Sequence, residues 1–351
     1  MRRLIILLFL MQSGMFVFAG MQTQDSLGLV GLFDNDVPLE IDLKANFVSL
    51  FADLSEDRVF HDAQLTVKNP SCAFSNMPIK LKPRGGFRLR KQTCDFPPLR
   101  FKFHAKQVDG TIFQGQDKLK YVSHCQNFKK DYELHTLEEF LVYKMYNVFT
   151  DYSYRVRLAR VNFIDTYKLD TLQRFGFFVE DRLQMAKRIG RHPLKFRNIK
   201  QYQVLRENML VLSLFQYMVG NSDWDVSRLH NIDLMSVDDN SLPVAIPYDF
   251  DWCALIGQEY FVPDPQIDLD AKYQRRYKSY QWTKEEFEAA FQEFFDHKDE
   301  LYSLISDFTY LDNDNRLKLL AYISEFYDLI SSKSDVRDFI MKNAKKIPSD
   351  Y

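Results

Sequence analysis

Between residues 37 and 122, apolar and polar positions alternate in short runs. Val37-Pro38-Leu39-Glu40-Ile41-Asp42-Leu43, Ala63-Gln64-Leu65-Thr66-Val67 and Ile79-Lys80-Leu81-Lys82 each gather apolar side chains on one face of an extended chain. That period of two belongs to a half-buried strand. Arg100-Phe101-Lys102-Phe103 and Lys118-Leu119-Lys120-Tyr121-Val122 repeat it, with turn signals at Pro83-Arg84-Gly85-Gly86 and Asp109-Gly110.

The period then changes. Leu137, Phe140, Leu141, Met145 and Val148 recur at helical spacing and predict a helix over 134–149, with Thr136 as its cap. Strands are expected at 156–164 and 175–179, and a helix over 202–219 that runs into Gly220-Asn221. A strand pair follows at 231–237 and 244–247. Towards the C-terminus, Thr283 and Glu286 have the spacing of a capping box, and Phe287, Phe291, Phe294 and Phe295 form a core-facing aromatic stripe. Helices are expected over 316–330 and 335–345, with Asp312-Asn313-Asp314-Asn315 read as a polar loop. The order predicts an α+β chain. A β-rich N-terminal lobe with one helix covers 28–180, and a mainly helical C-terminal lobe covers 181–351, the boundary falling within 170–190.

Composition narrows the setting. Lys plus Arg total 46 against 48 acids, a formal net charge of -2, so nothing draws the whole molecule to nucleic acid. Arg2 and Arg3 precede an apolar run from Leu4 to Leu10, and Val17-Phe18-Ala19 supplies small residues near a cleavage point. This is the layout of a signal peptide over 1–19. The mature chain is therefore expected to be exported, whether periplasmic, cell-surface or secreted, with no integral membrane span. In that compartment Cys72 and Cys94, which flank one strand-rich segment, are predicted to form a disulfide. Cys125 and Cys253 are either a second bridge or two buried thiols. No CxxC pair occurs, which argues against zinc.

The densest group of reactive side chains is Gly220-Asn221-Ser222-Asp223-Trp224-Asp225-Val226-Ser227-Arg228-Leu229-His230-Asn231, followed by Ile246-Pro247-Tyr248-Asp249-Phe250-Asp251. It brackets the expected strand pair, and a hairpin there would bring both loops to one end. Phosphoryl transfer needs a carboxylate to position or deprotonate the acceptor hydroxyl, oxygen ligands for Mg²⁺, and cations on the phosphates. Asp223 suits the first role and Asn231 with Asp249 the second; Asp225 and Asp251 are rivals by proximity. Asn, Ser and Asp are also ordinary turn and cap residues.

The segment resembles the signature of the CotH (spore-coat protein H) kinase-like family: a Gly-Asn-x-Asp loop, an Asn opening the next strand, and a Pro-aromatic-Asp-aromatic-Asp turn. Here these read Gly220-Asn221-Ser222-Asp223, Asn231 and Pro247-Tyr248-Asp249-Phe250-Asp251. Arg84-Gly85-Gly86-Phe87-Arg88 is similar to the family's Arg-Gly-Asn-Ser-Ser turn. Residues 161–166 with Phe175-Gly176-Phe177-Phe178-Val179-Glu180 are similar to its strand pair ending in glutamate. The similarity runs from about Leu32 to Asp251. It departs at Phe87-Arg88 in place of Ser-Ser, at extra residues between Asp223 and Asn231, and at Arg90-Lys91-Gln92-Thr93-Cys94 in place of a Lys-Lys-Ser stretch.

The resemblance implies a two-lobed atypical protein-kinase-like fold. It also implies transfer of the ATP γ-phosphate to a protein Ser or Thr hydroxyl with Mg²⁺ or Mn²⁺. Asp223 would be the base, and Asn231, Asp249 and Asp251 the metal ligands. Arg84 and Gly85 would touch phosphate. Lys102 or Lys120 would bind it, with Glu138 or Glu139 pairing to Lys120, and Glu180 would touch nucleotide or merely end its strand. Two other readings use the same residues: a kinase-fold binding or assembly protein without catalysis, and a metal-dependent phosphohydrolase.

Overall fold

The computed structural model describes residues 31–238, 240–260 and 275–349; the expected signal peptide lies outside them. Strands β1 (Leu39–Ala45), β2 (His61–Val67), β3 (Phe74–Pro83), β4 (Leu99–Lys102), β5 (Lys118–Val122), β6 (Val156–Asp165) and β7 (Thr171–Val179) close a barrel in the order β1-β2-β3-β4-β5-β7-β6. Neighbours are antiparallel except β1 and β6, which pair in parallel from Leu39↔Ala159 to Ala45↔Asp165. Closure leaves no sheet edge exposed.

The alternation has a direct physical outcome. Leu39, Ile41, Leu43, Leu81, Phe101 and Leu119 fill the barrel, while the polar residues between them face out. Gly176 in β7 is needed for close approach: a Cβ there would lie 2.2 Å from the Tyr121 hydroxyl and 2.5 Å from the Val122 carbonyl.

The helices are α1 (Phe47–Ala52), α2 (Ala105–Val108), α3 (Lys130–Phe149), α4 (Arg182–Arg188), α5 (Arg206–Met218), α6 (Lys284–Asp296), α7 (Lys298–Ser306) and α8 (Asn313–Ser331). A three-stranded sheet, β10-β9-β8, is formed by β8 (His192–Leu194), β9 (Ile232–Ser236) and β10 (Val244–Pro247). A second core joins α3 to the C-terminal helices: Tyr146 meets Phe215 at 4.7 Å, and Phe149 stacks on Phe294 at 4.3 Å between ring centroids.

Several expectations change. Helix α3 starts at Lys130, so Thr136 lies inside it and donates its hydroxyl to the Tyr132 carbonyl, 2.9 Å away. Asp131 and Glu133 in the first turn complement the helix dipole there. Asp312 belongs to α8 as its N-cap, accepting from the Asn315 amide, so the expected polar loop is the helix's first turn. In place of one helix over 335–345, a single helical turn (Lys333–Asp335) leads into a π-helical segment (Val336–Met341). Thr283 and Glu286 make the expected capping box on α6.

The predicted Cys72–Cys94 bridge is incorrect. Cys94 is bonded to Cys125, with Cα atoms 4.7 Å apart. The amide of Phe96 donates to the Cys125 carbonyl at 2.9 Å, which lays the two segments side by side. Cys72 stands between β2 and β3 as a free, half-buried thiol, and Cys253 is free and buried. Among the described residues no helix is long and apolar enough to cross a membrane.

Candidate functional site

Helix α5 is capped by Val219 and followed by Gly220, whose φ of 67° lies in the left-handed region that glycine adopts without strain. The loop beyond is fastened to the turn after β10: the Ala254 amide donates to the Gly220 carbonyl at 3.1 Å, and Asn221 bridges Cys253. The β9–β10 pairing, Ile232↔Pro247, sets Asn231 and Tyr248 at one end of the hairpin, and the Tyr248 amide donates to the Asn231 carbonyl at 3.1 Å.

At that end, Asp223 is gripped on both carboxylate oxygens. Its Oδ1 lies 2.7 Å from His230 Nε2, and Oδ2 accepts from the Asn231 side-chain amide at 3.0 Å. The same amide donates to the Asp223 carbonyl at 2.8 Å. Lys278 Nζ braces the loop from below by donating to the Ser222 carbonyl at 2.5 Å. Asp225 is otherwise engaged: its Oδ1 accepts from Ser227 and from the Arg228 amide, closing a tight turn.

The turn after β10 carries two further acids. Asp249 has φ 63°, a conformation that costs a non-glycine residue on the order of 1 kcal/mol or more. Its amide donates to the Tyr143 hydroxyl at 2.7 Å, and its side chain remains 43% exposed. Asp251 is buried and accepts from Tyr260 at 2.7 Å. From α3, Glu139 reaches the same place at 1% exposure. One ligand oxygen from each of Glu139, Asp249 and Asp251 can be chosen such that all lie within 4.8 Å of one another.

One cation is already among them. The Arg88 guanidinium lies 2.9 Å from Asp251 through Nε, and 3.2 Å from Glu139 and 3.3 Å from Asp249 through Nη2. Burial raises the Glu139 pKa to about 8; the Arg88 charge only partly offsets it, and repulsion from Asp251 and Asp249 adds to it. Burial likewise raises Asp251 despite Arg88. Arg88 itself stays charged, because Asp251 and Glu139 outweigh the burial that would discharge it. Glu139 Oε1 is buried with no hydrogen-bond partner. Three hard oxygen donors, one of them orphaned, fit a divalent cation such as Mg²⁺ or Mn²⁺.

Further cations lie within electrostatic reach of Asp249. Lys120 sits over the rings of Tyr248 (4.9 Å) and Tyr154 (5.8 Å). Burial lowers its pKa to about 8, helped by Arg84 and Arg100 and opposed by Asp233 and Asp249. Arg100 is its cross-strand partner. Burial and the neighbouring arginines also lower Arg84, against the pull of Asp249. Among the described residues, Arg84, Arg100 and Lys120 have no ion-pair partner within hydrogen-bonding reach.

Other expected residues go elsewhere. Lys102 is exposed, 5.5 Å from the Phe60 ring, on the outer barrel surface. Glu138 does not pair with Lys120; it turns to the other side of α3, where His135 holds it at 2.9 Å. Successive helical positions point about 100° apart, so only Glu139 faces the acids. Glu180 is consumed by Arg188, at 2.9 and 3.0 Å, and by the Arg155 amide, so it ends its strand. Gly85, with φ 112°, is exposed at the tip of the turn before Arg88. Sequence reasoning missed His230, Arg88 and Arg100. His230 immediately precedes Asn231, and Arg88 stands where the resemblance breaks; those were the available signals.

No family model matches the chain, and no curated protein matches it. Among solved structures, the crystal structure of the Golgi casein kinase aligns at a TM-score of 0.32 with 9% identity, covering 90% of this chain and 79% of that one. The structure of the Golgi casein kinase with Mn/ADP bound aligns at a TM-score of 0.32 with 12% identity, covering 91% of this chain and 79% of that one.

Proposed function

We propose that the chain is an exported phosphotransferase of the atypical kinase type, related to the CotH kinase-like family. It would transfer the ATP γ-phosphate to a Ser or Thr hydroxyl of a protein, across a cleft between a β-rich and a helical lobe. The observation that carries this reading is the convergence of three elements. The turn bearing Asp249 and Asp251 and helix α3 bearing Glu139 bring three carboxylates together, the Tyr248 amide ties the Asp223 loop to that turn through the Asn231 carbonyl, and Lys120 and Arg84 lie within electrostatic reach of Asp249. Phosphoryl transfer needs those two opposed sets of charge.

Glu139, Asp249 and Asp251 would hold Mg²⁺ or Mn²⁺, which neutralises phosphate charge when bound. Arg84, Arg100 and Lys120 would bind phosphate oxygens. Asp223 accepts the acceptor's proton: both its oxygens are oriented, one by His230 and one by Asn231. Asn231 thereby positions Asp223, and its carbonyl holds the residue before Asp249. The Cys94–Cys125 disulfide supports export, since such bonds persist in oxidising compartments.

Asp223→Asn keeps the shape and removes the charge. Transfer of radiolabel from ATP to a protein acceptor is expected to fall ~100-fold or more while nucleotide binding persists, the scale of a lost general base. A residue that merely caps its turn would tolerate Asn, and unchanged transfer would remove Asp223 from the mechanism. Release of free phosphate without labelled protein would favour the phosphohydrolase. A second reading has one observation behind it: the Arg88 cation already lies among the acids, as in a binding module that has given up catalysis.

A further inference from the structure

The Arg88 contact has no place in the resemblance, because the turn that carries it has Phe87-Arg88 where the family has Ser-Ser. Its geometry is specific. A single guanidinium, 10% exposed, touches Glu139, Asp249 and Asp251, which are the same three residues whose oxygens cluster within 4.8 Å. The cation and a divalent ion would therefore draw on the same three carboxyl groups. Two positive centres held by one set of carboxyl groups repel strongly where water is scarce. Yet the acids are not saturated: Glu139 Oε1 remains buried and without a partner. One guanidinium against three carboxylate groups leaves a donor over.

The attachment of Arg88 allows exchange. It follows Gly85 and Gly86, both exposed, and a Cβ added at Gly86 would meet nothing within 4 Å. The short helical turn Phe87–Leu89 is held by long bonds, Leu89 amide to Gly86 carbonyl at 3.3 Å and Arg90 amide to Phe87 carbonyl at 3.2 Å. Beside it, the Phe87 ring meets Trp252 and Tyr260 edge to face, and Tyr260 in turn donates to Asp251.

We propose that Arg88 is an exchangeable resident cation: its guanidinium occupies the position a divalent metal would take between Glu139, Asp249 and Asp251, and metal binding requires it to leave. This rests on the proposed metal-binding role of those acids. Arg88 keeps the acids compensated in the metal-free protein and sets the threshold of metal concentration at which the site fills.

The test is calorimetric titration of the full exported chain with Mn²⁺ alone, without nucleotide. Arg88→Met keeps much of the side-chain volume and removes the competing charge. Its dissociation constant for Mn²⁺ is expected to drop tenfold or more, and Glu139→Gln in the same background to cancel the gain. A folded Arg88→Met protein that binds Mn²⁺ no more tightly than wild type overturns the proposal. If Glu139→Gln still weakens wild-type binding in that case, the metal site stands and only the exchange fails. If no form binds Mn²⁺, both fall. Should Arg88→Met not fold, Arg88→Lys keeps a charge but loses the forked three-way contact. Tighter binding than wild type by threefold or more supports exchange, and equal or weaker binding overturns it.

Discussion

Single residues carry most of what was misread. Adjacent acids on a helix cannot be told apart by composition, and Glu138 and Glu139 differ only by one step of rotation. That step sends one to His135 and the other to Arg88. Asp249 was legible because it follows an apolar strand and precedes a second acid, whereas the left-handed backbone that aims it leaves no mark in the sequence. His124 shows a different case. It is wholly buried, 4.5 Å from the Phe96 ring, with Nε2 on Asn127. Burial lowers its pKa to about 4, outweighing the Asn127 hydrogen bond. The unfolded chain takes up a proton near pH 6.5, the folded one only near 4, so stability from neutral His124 is present above 6.5 and is lost as pH falls. Between pH 6.5 and 5, wild type should lose about 1.5 kcal/mol more than His124→Phe in denaturant titrations, given a folded value of about 4. Parallel pH dependences would contradict that assignment.

Elements were read with varying success, and the reasons differ. Strands β1, β2, β4 and β5 fall where period-two patterns placed them, since a barrel buries one face of each strand. Helix α3 was placed but started late, because Lys130 to Glu133 are charged or aromatic and interrupt the apolar stripe. Short elements such as α1 and β8 gave too few periods to register. The disulfide was mispaired because sequence shows flanking positions, not which loops run together. Its true partners clasp two pieces that meet at the acid cluster. Cys94 follows the turn that bears Arg88, and Cys125 precedes the helix that bears Glu139. Closing a loop across a separation of 31 residues stabilises by about 3 to 4 kcal/mol in the chain-entropy model. A double Cys94→Ala, Cys125→Ala variant should lose roughly that much in urea unfolding. A loss under about 1 kcal/mol would show that the segments are held by packing alone.

At the scale of the molecule, the α+β order was legible because each half has its own period. The closure of β1 on β6 was not: residues 39–45 and 159–165 carry no reciprocal signal of parallel pairing. The proposed cleft depends on both halves, with Lys120 and Arg84 from the barrel side and Asp223, Asp249 and Asp251 from the loops beyond α5. The central claim is that these groups bind a metal nucleotide, and Asp249 is the acid most open to solvent at that point. The most direct measurement is the thermal shift produced by ATP with millimolar Mn²⁺ on wild type, Asp223→Asn and Asp249→Ala. The account predicts stabilisation that needs both ATP and Mn²⁺, is retained by Asp223→Asn, and is lost by Asp249→Ala. No shift in wild type, or a full shift in Asp249→Ala, would contradict it.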